Sequence, residues 1–351
     1  MKILFSSKRE FFPERFDGAI NTAHTLFTIL KNKGHECEMV VGSDKTSESN
    51  VTADTLNNYK TYRVSKKFFF EALEERLDKF LPDIVFTQLE GAQDISEVAI
   101  SKKIPTILYI PDVEFDLFFK KPFPDNPLLS FLSISHFASK KFYECYGITS
   151  KVMYPPIKTS WYKTDSHQNK FITFINPVKV KGVEKVLKCA KHLPHRRFQL
   201  VETWPIPSEE YKKLIEQIHL LPNVALRKHT EDMKQIYENS SLLLMPSRWE
   251  EAFGRVIVEA NINGIPVIAS NVGGISEALG NGGKLLTRNA SIQTWIEAIE
   301  ELLTNKSLYE NFSKKAYTNS NRKEFNQEYI MNGFLDIANK HINTFSYHDV
   351  F

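Results

Sequence analysis

Short apolar runs recur along most of the chain, and between them apolar positions return at helical spacing. Residues 2–6, 36–41, 61–64, 83–87, 105–110 and 129–134 are apolar enough in succession to be strands of a buried sheet. Asp17-Gly18 caps a helix that runs to about Asn32, ahead of Gly34; residues 67–80 are amphipathic; Ser135 precedes a helix over 136–146. Residues 42–60 are polar and irregular, the pattern of a surface loop. After Tyr154-Pro155-Pro156, whose prolines punctuate the chain, the alternation restarts with strands at 170–175, 198–201, 224–226, 241–245, 265–269 and 284–286. From Ile292 on the pattern is helical. Repeated strand–helix units build doubly wound sheets, so the expected fold class is α/β with two Rossmann-like doubly wound domains.

Length agrees with two domains: 351 residues exceed one ordinary core and suit two of about 150–180 residues. The expected division is an N-terminal domain over 1–157, a C-terminal domain over 158–322 and a terminal helical segment over 323–351. A formal charge of +3 gives no footprint for nucleic acid. Cys37, Cys145 and Cys189 are an odd number at no metal-ligand spacing, which reads as reduced thiols in a cytoplasm. The N-terminus turns charged after five residues and reads as a first strand rather than a signal peptide, and no run of about 18 apolar residues exists to span a membrane.

The most informative stretch is 247–278, SRWEEAFGRVIVEANINGIPVIASNVGGISEA. It follows an apolar strand, passes through a polar and aromatic loop, and enters a helix at Arg255, with Val256, Ile257, Ala260 and Ile262 at helical spacing. Asn263-Gly264 ends that helix, 265–269 is another apolar strand, and Val272-Gly273-Gly274 turns into a helix near Ile275. The amides of Gly254, Arg255 and Val256 therefore sit at a helix N-terminus, which favours an anion, and Arg255 adds a charge suited to a diphosphate. Glu259 lies one turn on, roughly 6 Å at ~1.5 Å per residue, and Glu251 lies on the loop side. Carboxylates on both sides of an anion site suit hydroxyls on both sides of a phosphate, as in a nucleotide sugar. The plain alternative is a solvated helix glutamate at a spacing common by chance.

Phe253-Gly254, Glu259-Ala260, Gly264-x-Pro266-Val267 and Gly273-Gly274-x-x-Glu277 together resemble the donor signature of family four of the retaining GT-B glycosyltransferases, the glycosyl transferases group 1. The resemblance implies two domains facing across a cleft, an acceptor-binding N-terminal domain, a donor-binding C-terminal domain and a last helix, near 323–343, that crosses back. It implies that Glu251 meets hydroxyls of the donor sugar and that Glu259 holds the ribose. Gly18, Asn176, Lys179, Phe253, Gly254, Val256, Gly273 and Gly274 fall at donor-contact positions, and Lys181, Arg255, Glu251 and Asp112 at positions near the reaction. The sequence departs from the family at three points: Asp17-Gly18 replaces a glycine pair, Asn176 replaces an arginine, and Asp112 replaces a histidine.

The implied function is transfer of a sugar, with retention, from a nucleoside-diphosphate sugar to an acceptor hydroxyl, with UDP preferred over GDP. No metal and no cofactor are expected, the nucleotide sugar being a substrate. The acceptor class is a glycan or lipid-linked acceptor in bacterial surface glycan assembly, in the cytoplasm or at the inner face of its membrane. Two alternatives stay open: a non-catalytic nucleotide-sugar-binding subunit, and a GT-B epimerase or phosphorylase. Locally, Asp112 either orients the acceptor or caps its own turn, and Lys181 either reaches phosphate or is a solvated lysine. Trp249 and Phe253 either stack on ligand or anchor their loop. The clusters over 66–70 and 118–123 mix lysine with phenylalanine; they suit either a peripheral membrane contact or core rings with solvated lysines beside them.

Overall fold

The computed structural model describes residues 1–45, 52–228, 230 and 232–346. The chain divides into two compact units, Met1–Pro156 with Asn326–Phe351, and Ile157–Phe325.

In the first unit the strands are β1 (Lys2–Ser7), β2 (Glu36–Ser43), β3 (Thr52–Asp54), β4 (Lys60–Ser65), β5 (Ile84–Gln88), β6 (Thr106–Ile110), β7 (Leu129–Ser133) and β8 (Lys151–Val152). They form one sheet in the order β3-β4-β2-β1-β5-β6-β7-β8. Pairing is parallel except between β3 and β4. The crossover helices are α1 (Gly18–Asn32), α2 (Phe69–Phe80), α3 (Ala92–Ser101) and α4 (His136–Tyr146). Asp17 caps α1 by accepting the amides of Ala19 and Ile20, and Ser135 caps α4 through Ala138. Two departures from the pattern are short edge strands. β3 falls within the stretch that reads as irregular loop, of which 46–51 lie outside the described residues, and β8 is two residues long. Edge strands pair on one side only and need no apolar run, so their sequences carry little signal.

The two lysine–phenylalanine clusters resolve largely into core. Phe69 is fully buried beside Leu73 and Leu77, and Phe119 and Phe123 pack edge-on against Phe142, with ring centroids 6.2 and 5.6 Å away. Among the described residues no helix is long and apolar enough to cross a membrane.

The second unit begins with α5 (Thr159–Tyr162) and alternates β9 (Phe171–Ile175), α6 (Val183–His192), β10 (Phe198–Val201), α7 (Ser208–His219), β11 (Val224–Arg227), α8 (Met233–Glu238), β12 (Ser240–Met245), α9 (Arg255–Asn261), β13 (Val267–Ser270), α10 (Ile275–Leu279) and β14 (Gly283–Leu286), before α11 (Ile292–Thr304) and α12 (Lys306–Ser320). Its six strands are parallel, in the order β11-β10-β9-β12-β13-β14. The central strands β9 and β12 are buried almost throughout, which is why they read as unbroken apolar runs. On one face Ile172, Phe174, Leu200, Leu242 and Leu244 pack under Val186, Trp295 and Ile299, each such side chain contributing about 1.5–3 kcal/mol by leaving water. The opposite face carries a buried polar knot in which Gln199 Nε2 donates to Thr173 Oγ1 at 2.8 Å.

The terminal helix α13 (Gln327–Ser346) belongs to the first unit, where Met331, Phe334 and Ala338 are buried and Phe334 meets Phe86 edge-on at 5.6 Å.

Candidate functional site

The second sheet has a topological switch point between β9 and β12. From β9 the chain steps outward through β10 to β11, then returns to place β12 on the other side of β9. Loops leaving the carboxyl ends of two such strands form the sheet edge at which open α/β sheets take ligands. The two loops here are 176–182 and 246–254.

Close approach holds these loops together. Gly182 has φ +87°, and a Cβ on it would lie 2.2 Å from the carbonyl oxygen of Pro246. The Arg248 amide donates to the Val180 carbonyl at 2.9 Å. The turn after β13 docks in the same way: a Cβ on Gly273 would fall 2.3 Å from the Glu251 carbonyl oxygen, and the Gly274 amide donates to that oxygen at 2.7 Å. The glycines of the sequence motif therefore let three loops pack backbone to backbone.

This packing brings Lys181 to Glu251. Lys181 Nζ stands 2.6 and 2.7 Å from the two Glu251 carboxylate oxygens, and Ser247 Oγ donates to Oε1 at 2.6 Å. Both charged side chains are buried. Removing either partner would strand the other charge, at a cost of about 3–5 kcal/mol. The Trp204 and Trp249 rings flank the same ammonium, with centroids 4.6 and 4.9 Å away.

A second buried group lies on α9. Arg255 Nε is 3.6 Å from Glu259 Oε1, one helical turn on, and Tyr237 OH donates to Glu259 Oε2 at 2.9 Å. Tyr162 packs against Tyr237, their ring centroids 6.3 Å apart. Burial pushes the Glu259 carboxyl above its ordinary range, while Arg255, Tyr237 and Tyr162 pull it back down. The same burial, with Glu259 nearby, pushes the Tyr162 hydroxyl up to about 12 and that of Tyr237 well above its usual value. Glu259 is thus no solvated helix residue: it is fixed by hydroxyl donors from two other elements.

The remaining expected residues fall as follows. Gly254 is the N-cap of α9 with φ +105°, and Arg255 is the first helical residue. Phe253 is buried and turned edge-on to Phe325 at 5.7 Å, so its ring anchors the loop. Asn176, with φ +61°, accepts a hydrogen bond from Thr203, which ties the end of β9 to the loop after β10. Lys179 is exposed, on the single 3-10 turn Lys179–Lys181. Val256 is half-buried. Gly18 and Asp112 belong to the first unit. Gly18 opens α1, and Asp112 Oδ1 accepts the amides of Val113 and Glu114 at 2.7 and 3.2 Å, holding its own turn ahead of the 3-10 residues Phe115–Leu117. Trp204, Tyr162, Tyr237 and Ser247 join these groups without any sequence indication. Only Ser247, four residues before Glu251, lay within local reach of a motif.

Residues 162–319, which lie within the second unit, match the family described as Glycosyl transferases group 1. The chain is 30% identical over 139 residues to the capsular polysaccharide biosynthesis glycosyltransferase CapM of Staphylococcus aureus, covering 38% of this chain and 36% of that protein. It is 32% identical over 125 residues to a D-inositol 3-phosphate glycosyltransferase of Rhodococcus erythropolis, covering 35% and 27%. The aligned parts thus span about a third of these relatives. Among solved structures, Anabaena HepE in complex with UDP and glucose superposes with a TM-score of 0.80 at 17% identity, over 97% of this chain and all of that one. The fold, two parallel-sheet Rossmann-like domains, is that of the GT-B glycosyltransferases.

Proposed function

We propose that the protein is a glycosyltransferase that moves a sugar, with retention and without a metal ion, from a nucleoside-diphosphate sugar to an acceptor hydroxyl. One observation carries this: two buried cation–carboxylate pairs lie at the switch point inside the matched domain, Lys181 on the loop after β9 with Glu251 on the loop after β12, and Arg255 with Glu259 on the helix that follows that second loop. Cations there balance the charge that grows on a departing diphosphate, and stabilising that charge is the main demand the reaction makes on such an enzyme. Glu259 accepts ribose hydroxyls and Glu251 those of the transferred sugar, because a carboxylate is an acceptor at every lone pair. The acceptor's proton leaves with the diphosphate oxygen as the glycosidic bond forms, so no protein nucleophile is required. HepE was solved with UDP and with UDP-glucose, which favours UDP over GDP here. The CapM relative favours a bacterial surface glycan or its lipid-linked precursor as acceptor.

Calorimetric titration with UDP and with GDP, in the presence of a chelator, tests the donor half. Wild type is expected to bind UDP more tightly than GDP, and Glu259→Ala to lose at least tenfold in affinity while keeping a cooperative thermal transition. Glu259→Gln is the control should the alanine variant fail to fold. Absence of binding to either nucleotide would refute the donor assignment.

A further inference from the structure

Lys181 is only 8% exposed, and its ammonium is enclosed by three loops that follow neighbouring strands. Glu251, after β12, takes it at 2.6 and 2.7 Å with both oxygens. Trp204, after β10, and Trp249, after β12, present rings at 4.6 and 4.9 Å, 63° apart in plane. An ammonium has three N–H donors. Carboxylate and aromatic faces together account for them, so an anion cannot be added to this arrangement without displacing something.

We propose that Trp204 and Trp249 occupy the seat on Lys181 that a nucleoside diphosphate takes, and that this aromatic pair opens when the ligand binds. The inference rests on the reading of Lys181 as a diphosphate contact. The rings move, rather than Glu251, for two reasons. A cation–ring contact is weaker than a buried ion pair, and expelling Glu251 would leave a carboxylate that is 6% exposed without its cation. Both tryptophans are half-buried, so each has solvent to swing into. The pair keeps the cation dry and in register while the seat is empty, and its displacement makes phosphate the requirement for binding: an uncharged sugar offers Lys181 too little to replace the rings.

The test is titration of the full chain with UDP, GDP and inorganic pyrophosphate, for wild type, Trp204→Phe and Trp204→Ala, read by calorimetry and by tryptophan emission. Removing a competitor strengthens binding. Trp204→Ala should therefore bind the preferred nucleotide about two- to thirtyfold more tightly than wild type, the range of one cation–π contact, with Trp204→Phe in between. Emission of wild type should change on binding, and Trp204→Phe should lose much of that change. Should Trp204→Ala lower the thermal transition, Trp204→Phe decides the sign. Unchanged or weaker binding in the folded variants, with wild type binding normally, overturns the gate alone. Binding of none of the three probes by wild type overturns the functional reading and the gate with it.

Discussion

Glu259 shows how a single side chain is tuned by elements that are remote in the chain. It is 5% exposed and faces Arg255 on its own helix, Tyr237 on α8 and Tyr162 on α5. Burial raises its folded-state pKa above the unfolded value. The stability linked to this proton is therefore full below the unfolded value of 4.5 and is lost as pH rises through the folded one. Tyr237 OH works against that shift by donating to the charged form. Tyr237→Phe should raise the Glu259 pKa further and move the acid limb of UDP affinity upward by about one unit, in line with the ~1.5 kcal/mol of a hydrogen bond to a charged group. An affinity–pH profile superposable on that of wild type would leave Tyr237 a packing role only. Nothing near Tyr237 in sequence marks this contact, because the partner is 22 residues away and reached through the fold.

Among the elements, the loop pair after β9 and β12 decides the geometry. Gly182 meets two demands at once, a φ of +87° and a backbone approach that no Cβ permits. Gly182→Ala should cost at least ~1–2 kcal/mol from the left-handed backbone alone, with a further loss from the displaced Pro246. It should also weaken nucleotide binding, since Lys181 immediately precedes it. Urea unfolding of the variant measures the first effect and calorimetry the second; an unaltered midpoint would disprove the close approach. Elements such as α4, α10 and the central strands were legible because a buried strand is apolar on consecutive positions and caps are local. The edge strands β3 and β8 were not, since neither face nor propensity constrains them.

At the scale of the whole molecule, two units with separate cores divide the chain, and the last helix is counted with the first of them. Phe334, fully buried on Phe86, links that helix to the first core. Phe334→Ala should cost about 3–5 kcal/mol. In calorimetry it should lower the transition of the unit containing residues 1–156 and leave that of residues 157–325 in place, as units that unfold independently do. Equal displacement of both transitions would show that the two unfold together.

By itself the sequence determined the α/β class, the positions of the central strands, the helix start at Arg255 and the charged residues, Glu251, Arg255 and Glu259, around which the candidate site is built. Each of these is fixed by side-chain periodicity, capping or local backbone chemistry within a few residues. Only the tertiary structure decided that β9 lies between β10 and β12, that Lys181 pairs with a carboxylate 70 residues away, and that two tryptophans close over it. Strand order and contacts between loops depend on the path of the chain through space, and local periodicity carries no record of that path.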